Sequence, residues 1–238
     1  MDDRKKRLLL LLLVVRHMRK RRKASIEKQA CLESSETGHQ FVQRILNGHD
    51  RLCHDLFRMK KDAFLRLASF LRSRRLLSDT YNVTVEEQLA IFLYTVGHNE
   101  RNRVVQDRFQ HSGETISRYF NKVLVAISKI ASEIIRSHRS LDEVPPEIMN
   151  DSRLWPYFKD CVGAIDGTHI DACVPKNEQM PYRNRKGVCS QNIMAVCSFD
   201  MLFTFVEAGW EGSAHDSQIF QHCIRDPNKN FPHPPRGK

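Results

Sequence analysis

The chain has 238 residues, 41% of them hydrophobic, which is enough to build a core in one large domain or two smaller ones. Its seven cysteines are an odd number without a Cys-x-x-Cys pair, so neither a disulfide framework nor a structural zinc site is indicated. The net charge is +10, but the first 30 residues hold eleven Lys and Arg against three acids. The rest is nearly neutral, so the high isoelectric point does not by itself indicate a DNA-binding domain.

The basic leader, residues 1–35, is predicted to be disordered. Its apolar run at residues 8–15 is too short to cross a bilayer, which takes about 20 apolar residues. A second basic cluster follows where a signal peptide would need small residues for cleavage. The cluster at residues 19–23 is typical of a nuclear-import or phosphate-binding tract, with an inert solvated tail as the alternative. We therefore expect a nuclear protein without a membrane anchor.

Residues 36–136 have a helical period and predict an N-terminal helical domain. The segment 55–71 predicts two helices, the second beginning near Asp62. Thr84 followed three residues later by Glu87 forms a capping-box pattern that opens a helix over residues 85–96, which should stop at Gly97. The apolar face of the first segment consists of Leu56, Phe57, Phe64, Leu67 and Leu71.

The end of this domain has the pattern of a helix-turn-helix. A short helix over residues 102–110, a tight turn at 111–113 and a longer helix over 114–135 are predicted. An ordinary α-hairpin with a core stripe of Ile116, Phe120, Leu124 and Ile127 is the alternative. The polar face of the second helix can contact bases or phosphates and favours DNA binding. Its candidate DNA-binding residues are Arg118, Asn121 and Lys122.

A linker, residues 137–160, separates the helices from a segment with the pattern of strands. An apolar strand over residues 161–165 is predicted to deliver Asp166 onto a turn at Gly167, with His169 beside it. A metal-binding acid is presented in this way. An Asp-Gly pair is also the commonest signal of an ordinary hairpin turn, and the pattern alone leaves both interpretations open.

Further apolar runs predict strands over residues 170–174, 192–199 and 203–208, and a second acid, Asp216, follows the last of them. Two carboxylates brought together by strands suit Mg²⁺ or Mn²⁺, which take oxygen ligands and keep open positions for phosphate. His215 precedes the second acid as His169 follows the first, and both are predicted to be polar neighbours of the metal.

The loop over residues 182–186 lies between the predicted strands and is basic. Its basic residues either neutralise DNA phosphates beside the metal or simply keep the loop soluble. The position of the loop between predicted strands favours phosphate contact. The candidate residues are Arg183, Arg185 and Lys186.

These segments resemble the transposase domain of the PIF/Harbinger superfamily and its domesticated nuclease relatives, in particular the plant members. The motifs that carry the resemblance are residues 163–170 (GAIDGTHI), 182–187 (YRNRKG), 190–192 (SQN), 195–200 (AVCSFD), 208–212 (AGWEG) and 213–217 (SAHDS). The block at residues 83–122 is also similar, so the resemblance covers roughly residues 40–238. It implies a ribonuclease H-like fold, a divalent-metal acidic triad, and hydrolysis or transfer of DNA phosphodiesters.

In that family Asp166 corresponds to the first catalytic acid and Asp216 to a further acidic position. The family's Asp-x-Gly-Tyr strand and its later helix with a Glu are not in this sequence, which reads as C-terminally truncated. The expected fold is α+β: a helix-turn-helix-like domain, then the N-terminal part of a ribonuclease H-like α/β domain at residues 161–238.

We therefore expect a transposase-derived DNA endonuclease-like protein that uses Mg²⁺ or Mn²⁺ and is inactive as this chain alone. DNA, and a separate DNA-binding protein, are its expected partners. The alternative is a non-catalytic nuclear DNA-binding or protein-interaction protein that acts through residues 83–135.

Overall fold

The computed structural model describes residues 11–16, 32–137, 140, 141 and 143–234. Most of the leader, including the basic tract at 19–23, lies outside the described residues, and residues 11–16 are helical. The chain divides into two compact units, one up to Ala126 and one from Ile127 onward. Across the described ranges, no helix combines the length and apolar character that a membrane crossing requires.

The first unit is helical, and its helices begin and end at identifiable residues. Thr37 caps the first helix through a reciprocal capping box with Gln40, and Arg58 ends the second in the left-handed conformation (φ 54°). The two helices predicted within residues 55–71 are confirmed. In chain order the helices are α1 (Gly38–Asn47), α2 (Asp50–Phe57), α3 (Lys61–Ser73), α4 (Val85–His98), α5 (Asn102–Phe109) and α6 (Gly113–Ile134), the last of which contains the boundary between the units.

The core of the helical unit surrounds α4, which contacts α1, α2, α3 and α5 and is therefore apolar on most of its surface. The ring of Phe41 packs edge-on against Phe109 and Tyr94, with centroids 5.4 and 6.3 Å away. Phe57 stacks on Phe64 at 5.2 Å, and both are buried. Of the predicted apolar face, Phe57, Phe64 and Leu71 are fully buried, while Leu56 and Leu67 are half-buried.

A charged cluster joins the end of α3 to the start of α4. Arg72 donates to both carboxylate oxygens of Glu86, at 2.9 and 2.8 Å, and to both oxygens of Asp79, at 3.3 and 3.0 Å. Asp79 Oδ1 also accepts from the Val85 backbone N–H at 2.8 Å. The hydrogen bonds from Arg72 lower the pKa of Glu86 and the pKa of Asp79.

The predicted ends of α4 are only partly correct. Thr84 Oγ1 accepts from the Glu87 N–H at 3.3 Å, as a cap should, but the Glu87 side chain does not complete the box. Its carboxylate is buried and pairs with His111 Nε2 at 2.8 Å, in the turn before α6. The helix continues past Gly97 and ends at Asn99 in the left-handed conformation (φ 52°), because Asn tolerates that conformation.

Helix α6 begins where predicted, but its buried stripe is rotated by about one residue. Leu124 is 42% exposed, and Phe120 and Ile127 are only half-buried, so the predicted stripe was wrong after Ile116. Tyr119 is buried instead, and its hydroxyl reaches Thr80 Oγ1 at 2.8 Å, so it fills a core position with its polar end satisfied. The buried stripe is Ile116, Tyr119, Val123, Ala126 and Ile130.

The second unit is built on a three-stranded antiparallel sheet in the order β1-β2-β3. The α+β class is therefore confirmed. The strands are β1 (Ala164–Asp171), β2 (Ser190–Cys197) and β3 (Phe203–Glu211), with single helical turns α7 (Pro146–Met149) and α8 (Gln179–Tyr182) before β2, and α9 (Asp216–Arg225) after β3.

One face of the sheet is covered by α9, and the core there is small. Met194 from β2 and Phe205 from β3 pack with Ile219 and Cys223 of the helix. Burial raises the pKa of the Cys223 thiol, so this cysteine behaves as an apolar core residue. Strand β1 is one of the two edge strands in the described sheet, and seven of its eight residues are exposed.

The predicted turn at Gly167 is wrong. Residues 164–171 form one continuous strand, in which Asp166 pairs with Ala195 and Gly167 with Met194. The glycine does not break the strand because its backbone stays extended; it is required for another reason, a close approach from α9.

Candidate functional site

Asp216 is held at the start of α9 by the turn that leaves β3. Gly212 in this turn lies against the main chain, and a Cβ there would stand 2.5 Å from Ser190 O. The Ser213 N–H donates to Pro181 O at 3.0 Å, and the Ala214 N–H to Glu211 O at 2.9 Å. The turn that carries the acid is therefore fixed to the segment before β2.

The carboxylate of Asp216 is hydrogen-bonded to a side chain of β2. Asn192 donates through Nδ2 to Asp216 Oδ1 at 2.7 Å and to Ala214 O at 3.0 Å. Asn192 is fully buried, while Asp216 is exposed. The same carboxylate lies over Gly167: a Cβ on that residue would be 2.5 Å from Asp216 Cγ. Glycine is needed at 167 because the acid occupies the space of a side chain.

Asp166 is the residue before this glycine, so the Asp216 carboxylate lies one position along β1 from the other predicted acid. Its side chain is exposed and its Oδ1 accepts from the Gly167 N–H at 2.8 Å. It does not line the pocket that contains Asp216. The two acids are thus neighbours through Gly167 rather than partners in a direct contact.

His169 belongs to a polar network beneath the site. Its Nδ1 lies 3.0 Å from Ser190 Oγ, and Asn184 Nδ2 donates to the same hydroxyl oxygen at 3.0 Å. Asn184 Oδ1 in turn accepts from the backbone N–H groups of Lys186 and Val188, at 2.9 and 3.2 Å. One asparagine therefore shapes the basic loop and links it to β1.

The basic loop reaches the acid through His215. Arg185 Nη2 lies 2.7 Å from His215 Nδ1, and a guanidinium only donates, so this ring nitrogen is an unprotonated acceptor. Arg183 is placed differently: its main chain forms an antiparallel β-bridge with Cys189 at the base of the loop, and it does not line the pocket. The pocket has a volume of about 280 Å³ and is lined by His169, Asn184, Arg185, Lys186, Gly212, Ser213, Ala214, His215 and Asp216.

The chemistry of this pocket suits a phosphate held beside a metal. Arg185, Lys186 and the N-terminus of α9 favour an anion, and the carboxylate of Asp216 is an oxygen ligand of the kind that Mg²⁺ and Mn²⁺ prefer. Asp166 lies outside the lining of this pocket. Within the described residues, no group of three or more His, Cys, Asp or Glu side chains could hold a metal. Mg²⁺ often binds through one or two carboxylates plus phosphate and water, which is the number available here.

The predicted DNA-binding residues of α6 lie exposed in the helical unit. Arg118 and Lys122 lie over the ring of Tyr119, at 5.3 and 5.4 Å, and Arg118 Nε is 3.5 Å from Glu114 Oε1. Asn121 donates to Ser117 O at 2.8 Å, so one of its donors is already used within the helix. The two cations keep their charge accessible at the surface.

Sequence reasoning missed the residues that organise the pocket: Asn184, Ser190 and Asn192. The last two fall within the SQN motif but were given no role. The available signal was their position: Ser190 and Asn192 begin a strand whose alternate residues point into the core, and a polar residue at a buried position requires a partner.

Comparison with protein families gives two matches in this chain. Residues 33–129 match a domain of unknown function (DUF8040), and residues 165–231 match the family described as DDE superfamily endonuclease. The second match contains β1, the basic loop and the start of α9, and so both predicted acids. No solved structure matches the chain.

Curated relatives point in the same direction. The chain is 29% identical over 133 residues to "Putative nuclease HARBI1" of Rattus norvegicus, covering 56% of this chain and 37% of the relative. The Homo sapiens protein of that name matches equally, and "Protein ALP1-like" of Arabidopsis thaliana is 26% identical over 142 residues, 59% of this chain and 34% of the relative. The matched segments thus span about a third of the relatives' length.

Proposed function

We infer that this chain binds DNA phosphodiesters and a divalent metal through Asp216, Asp166 and the basic loop. It is a member of the PIF/Harbinger-derived nuclease family, with its DDE domain at residues 165–231. The observation that carries this proposal is the placement of the Asp216 carboxylate against Gly167, next to Asp166, in a pocket that also holds Arg185. The pocket then combines the carboxylate of Asp216 with phosphate-binding cations, and Asp166 flanks it on β1.

The proposed fold of this unit is the first part of a ribonuclease H-like domain. Three antiparallel strands followed by a helix, with one acid on β1 and another at the start of the helix, support it.

In this proposal each residue has a defined task. A bound Mg²⁺ or Mn²⁺ would polarise the phosphodiester and activate water. Asp216 and Asp166 would supply carboxylate oxygens to it. Arg185, oriented by His215, and Lys186 would bind the non-bridging oxygens of the phosphate. His169 and Ser190 would keep the basic loop against β1.

Metal binding tests the acid half of the site. Titration of the chain with Mn²⁺, followed by electron paramagnetic resonance, should show an affinity that falls at least tenfold in Asp216→Asn, because a carboxylate ligand is lost. The matched control is Asp171→Asn at the end of the same strand, which should bind as the wild type does. Equal affinity in all three proteins would refute the site.

DNA binding tests the basic half. Arg185→Gln should lower duplex affinity and reduce the slope of log K against log salt by roughly 0.9, the value for one neutralised phosphate. Arg225→Gln, at the end of α9, is the control and should leave the slope unchanged. Because the described carboxylates form no cluster of three ligands, we expect binding without detectable nicking of plasmid DNA. Nicking that is lost in Asp166→Asn would contradict that expectation.

The exposed cations of α6 favour a second candidate, a non-catalytic DNA-binding function of the helical unit. Arg118 and Lys122 lie on the polar face near the start of α6, which follows the short α5 and a turn in the helix-turn-helix arrangement. The paired substitution Arg118→Gln and Lys122→Gln should then lower the salt slope by roughly 1.8. An unchanged slope would make the hairpin purely structural. Nuclear localisation and a separate DNA-binding partner remain predictions alongside it.

A further inference from the structure

Asn192 is buried in β2 with an unusual hydrogen-bond balance. Its Nδ2 makes two bonds, to Asp216 Oδ1 and to Ala214 O, but its Oδ1 has no partner in the described part of the chain. Buried acceptors without a donor are rare in folded proteins and each needs an explanation. The core beside Met194 would be filled as well by an apolar side chain that left no orphan group.

The explanation lies in what Nδ2 reaches. A side-chain amide offers two donors, and here one holds the turn before α9 while the other holds the carboxylate on the first residue of that helix. A serine or threonine hydroxyl has a single donor and could not make both bonds. The orphan acceptor is the consequence of using an amide for this task.

We propose that Asn192 is a positioning residue for the metal ligand Asp216, an inference that rests on the proposed function of the pocket. By occupying Oδ1 it fixes the rotation of the carboxylate and leaves Oδ2 as the ligand atom. Gly167 limits the carboxylate from the β1 side, because any Cβ there would displace it. Asp216 is thus held between β2 and β1 in one orientation, as metal-binding carboxylates are when their outer hydrogen bonds are conserved parts of a site.

Two substitutions approach the carboxylate from opposite sides. Asn192→Leu keeps the number of side-chain heavy atoms and removes both the donors and the orphan acceptor, whereas Gly167→Ala pushes the carboxylate from the β1 side. Loss of an outer partner typically costs about 10–100-fold in metal affinity. Mn²⁺ titration of the full chain without DNA, followed by electron paramagnetic resonance, should therefore show at least a tenfold loss in each variant.

The matched control is Gln88→Leu, which removes another fully buried side-chain amide with two main-chain hydrogen bonds, to Ser78 O and Val83 O, in the helical unit. It should lower thermal stability yet leave Mn²⁺ affinity unchanged. A positioning role predicts the reverse for Asn192→Leu: a large loss of metal affinity with a smaller change in stability, because the exposed Asp216 can bind water instead.

The outcomes separate this inference from the function on which it rests. If Asp216→Asn weakens Mn²⁺ binding while Asn192→Leu and Gly167→Ala do not, the positioning role is wrong and the site stands. If Asp216→Asn has no effect, the proposed function fails and the inference with it. If Asn192→Leu does not fold, Gly167→Ala decides alone. In an Asp216→Asn background, further loss on adding Gly167→Ala would also overturn the inference.

Discussion

The two units of this chain bury polar groups for different purposes. In the helical unit the buried polar residues Glu87 and Gln88, both on α4, bind His111 in a turn and main-chain oxygens of the loop before α4. In the sheet unit the buried polar residues are Ser190 and Asn192, and both bind residues that line the pocket. A buried polar side chain therefore stabilises a fold in the first unit and organises a site in the second.

The comparison also concerns how much each unit depends on its core. The helical unit has a large interior of aromatic and aliphatic residues, whereas the cluster between the sheet and α9 contains four buried side chains in the described part of the chain. We expect the stability of the helical unit to depend mainly on side-chain packing, and the stability of the sheet unit to depend mainly on the close approach of its main-chain segments. Three substitutions test this expectation.

The largest effect is expected for Phe41→Ala. Its ring is buried between Tyr94 and Phe109, and truncating a buried phenylalanine costs about 3–5 kcal/mol of unfolding free energy. Chemical denaturation followed by circular dichroism measures the loss. The control Tyr81→Ala, at a fully exposed residue, should change stability by less than about 0.5 kcal/mol. If Phe41→Ala also weakens Mn²⁺ binding by the folded chain, the loss of packing is not confined to the helical unit and the comparison fails.

A smaller effect is expected for Gly212→Ala in the sheet unit. The added methyl group would stand against the carbonyl oxygens of Tyr182 and Ser190, and such overpacking costs about 1–3 kcal/mol. Because the turn also carries Asp216, the substitution should lower Mn²⁺ affinity together with stability. Hydrogen exchange of β2 and α9 reports the stability, and spectroscopic titration reports the Mn²⁺ affinity. Loss of stability with unchanged metal affinity would show that the turn at Gly212 does not position Asp216 for metal binding.

The smallest effect is expected for Arg72→Met. The charged cluster is partly exposed, so we expect a loss of about 1 kcal/mol at pH 7. The folded pKa values of Asp79 and Glu86 are lowered, so their stabilisation is complete above the unfolded pKa values near 4 and is lost as pH falls through the lowered ones. Denaturation of both proteins from pH 7 to pH 2 should therefore show the difference shrinking below about pH 4. A constant difference would mean that Arg72 acts through packing alone.

The sequence predicted elements better than it predicted what their residues contact. Apolar runs located β2 and β3, and helical spacing located α2 to α6, because both signals are local. The predicted capping box of α4 was wrong for a nonlocal reason: the Glu87 side chain pairs with His111, 24 residues away, instead of with the backbone of Thr84. The stripe of α6 was misplaced because Tyr119 looks polar in a sequence but packs as a core residue when its hydroxyl finds Thr80.

The candidate site shows the same limit. Asp166 and Asp216 were selected from strand patterns and a family resemblance, and the structure places the Asp216 carboxylate against Gly167, the residue after Asp166. The reason for Gly167 could not be read locally, because an Asp-Gly pair has the same sequence whether it turns a hairpin or admits a carboxylate from a helix about 50 residues later. Asn192 was passed over because its partner becomes its neighbour only after β2 and α9 pack together.

Gly38 at the start of α1 has a consequence for how this sequence can vary. It is buried against Glu87, and a methyl group there would overlap the carboxylate that pairs with His111 and would crowd Phe109 O. The side chains at positions 38, 87 and 111 therefore share one small volume. A residue larger than glycine at position 38 requires a side chain shorter than glutamate at position 87, and His111 then loses its partner. In a library that randomises all three positions, selection for folding should recover combinations rather than independent choices. Glycine should persist wherever the acid does.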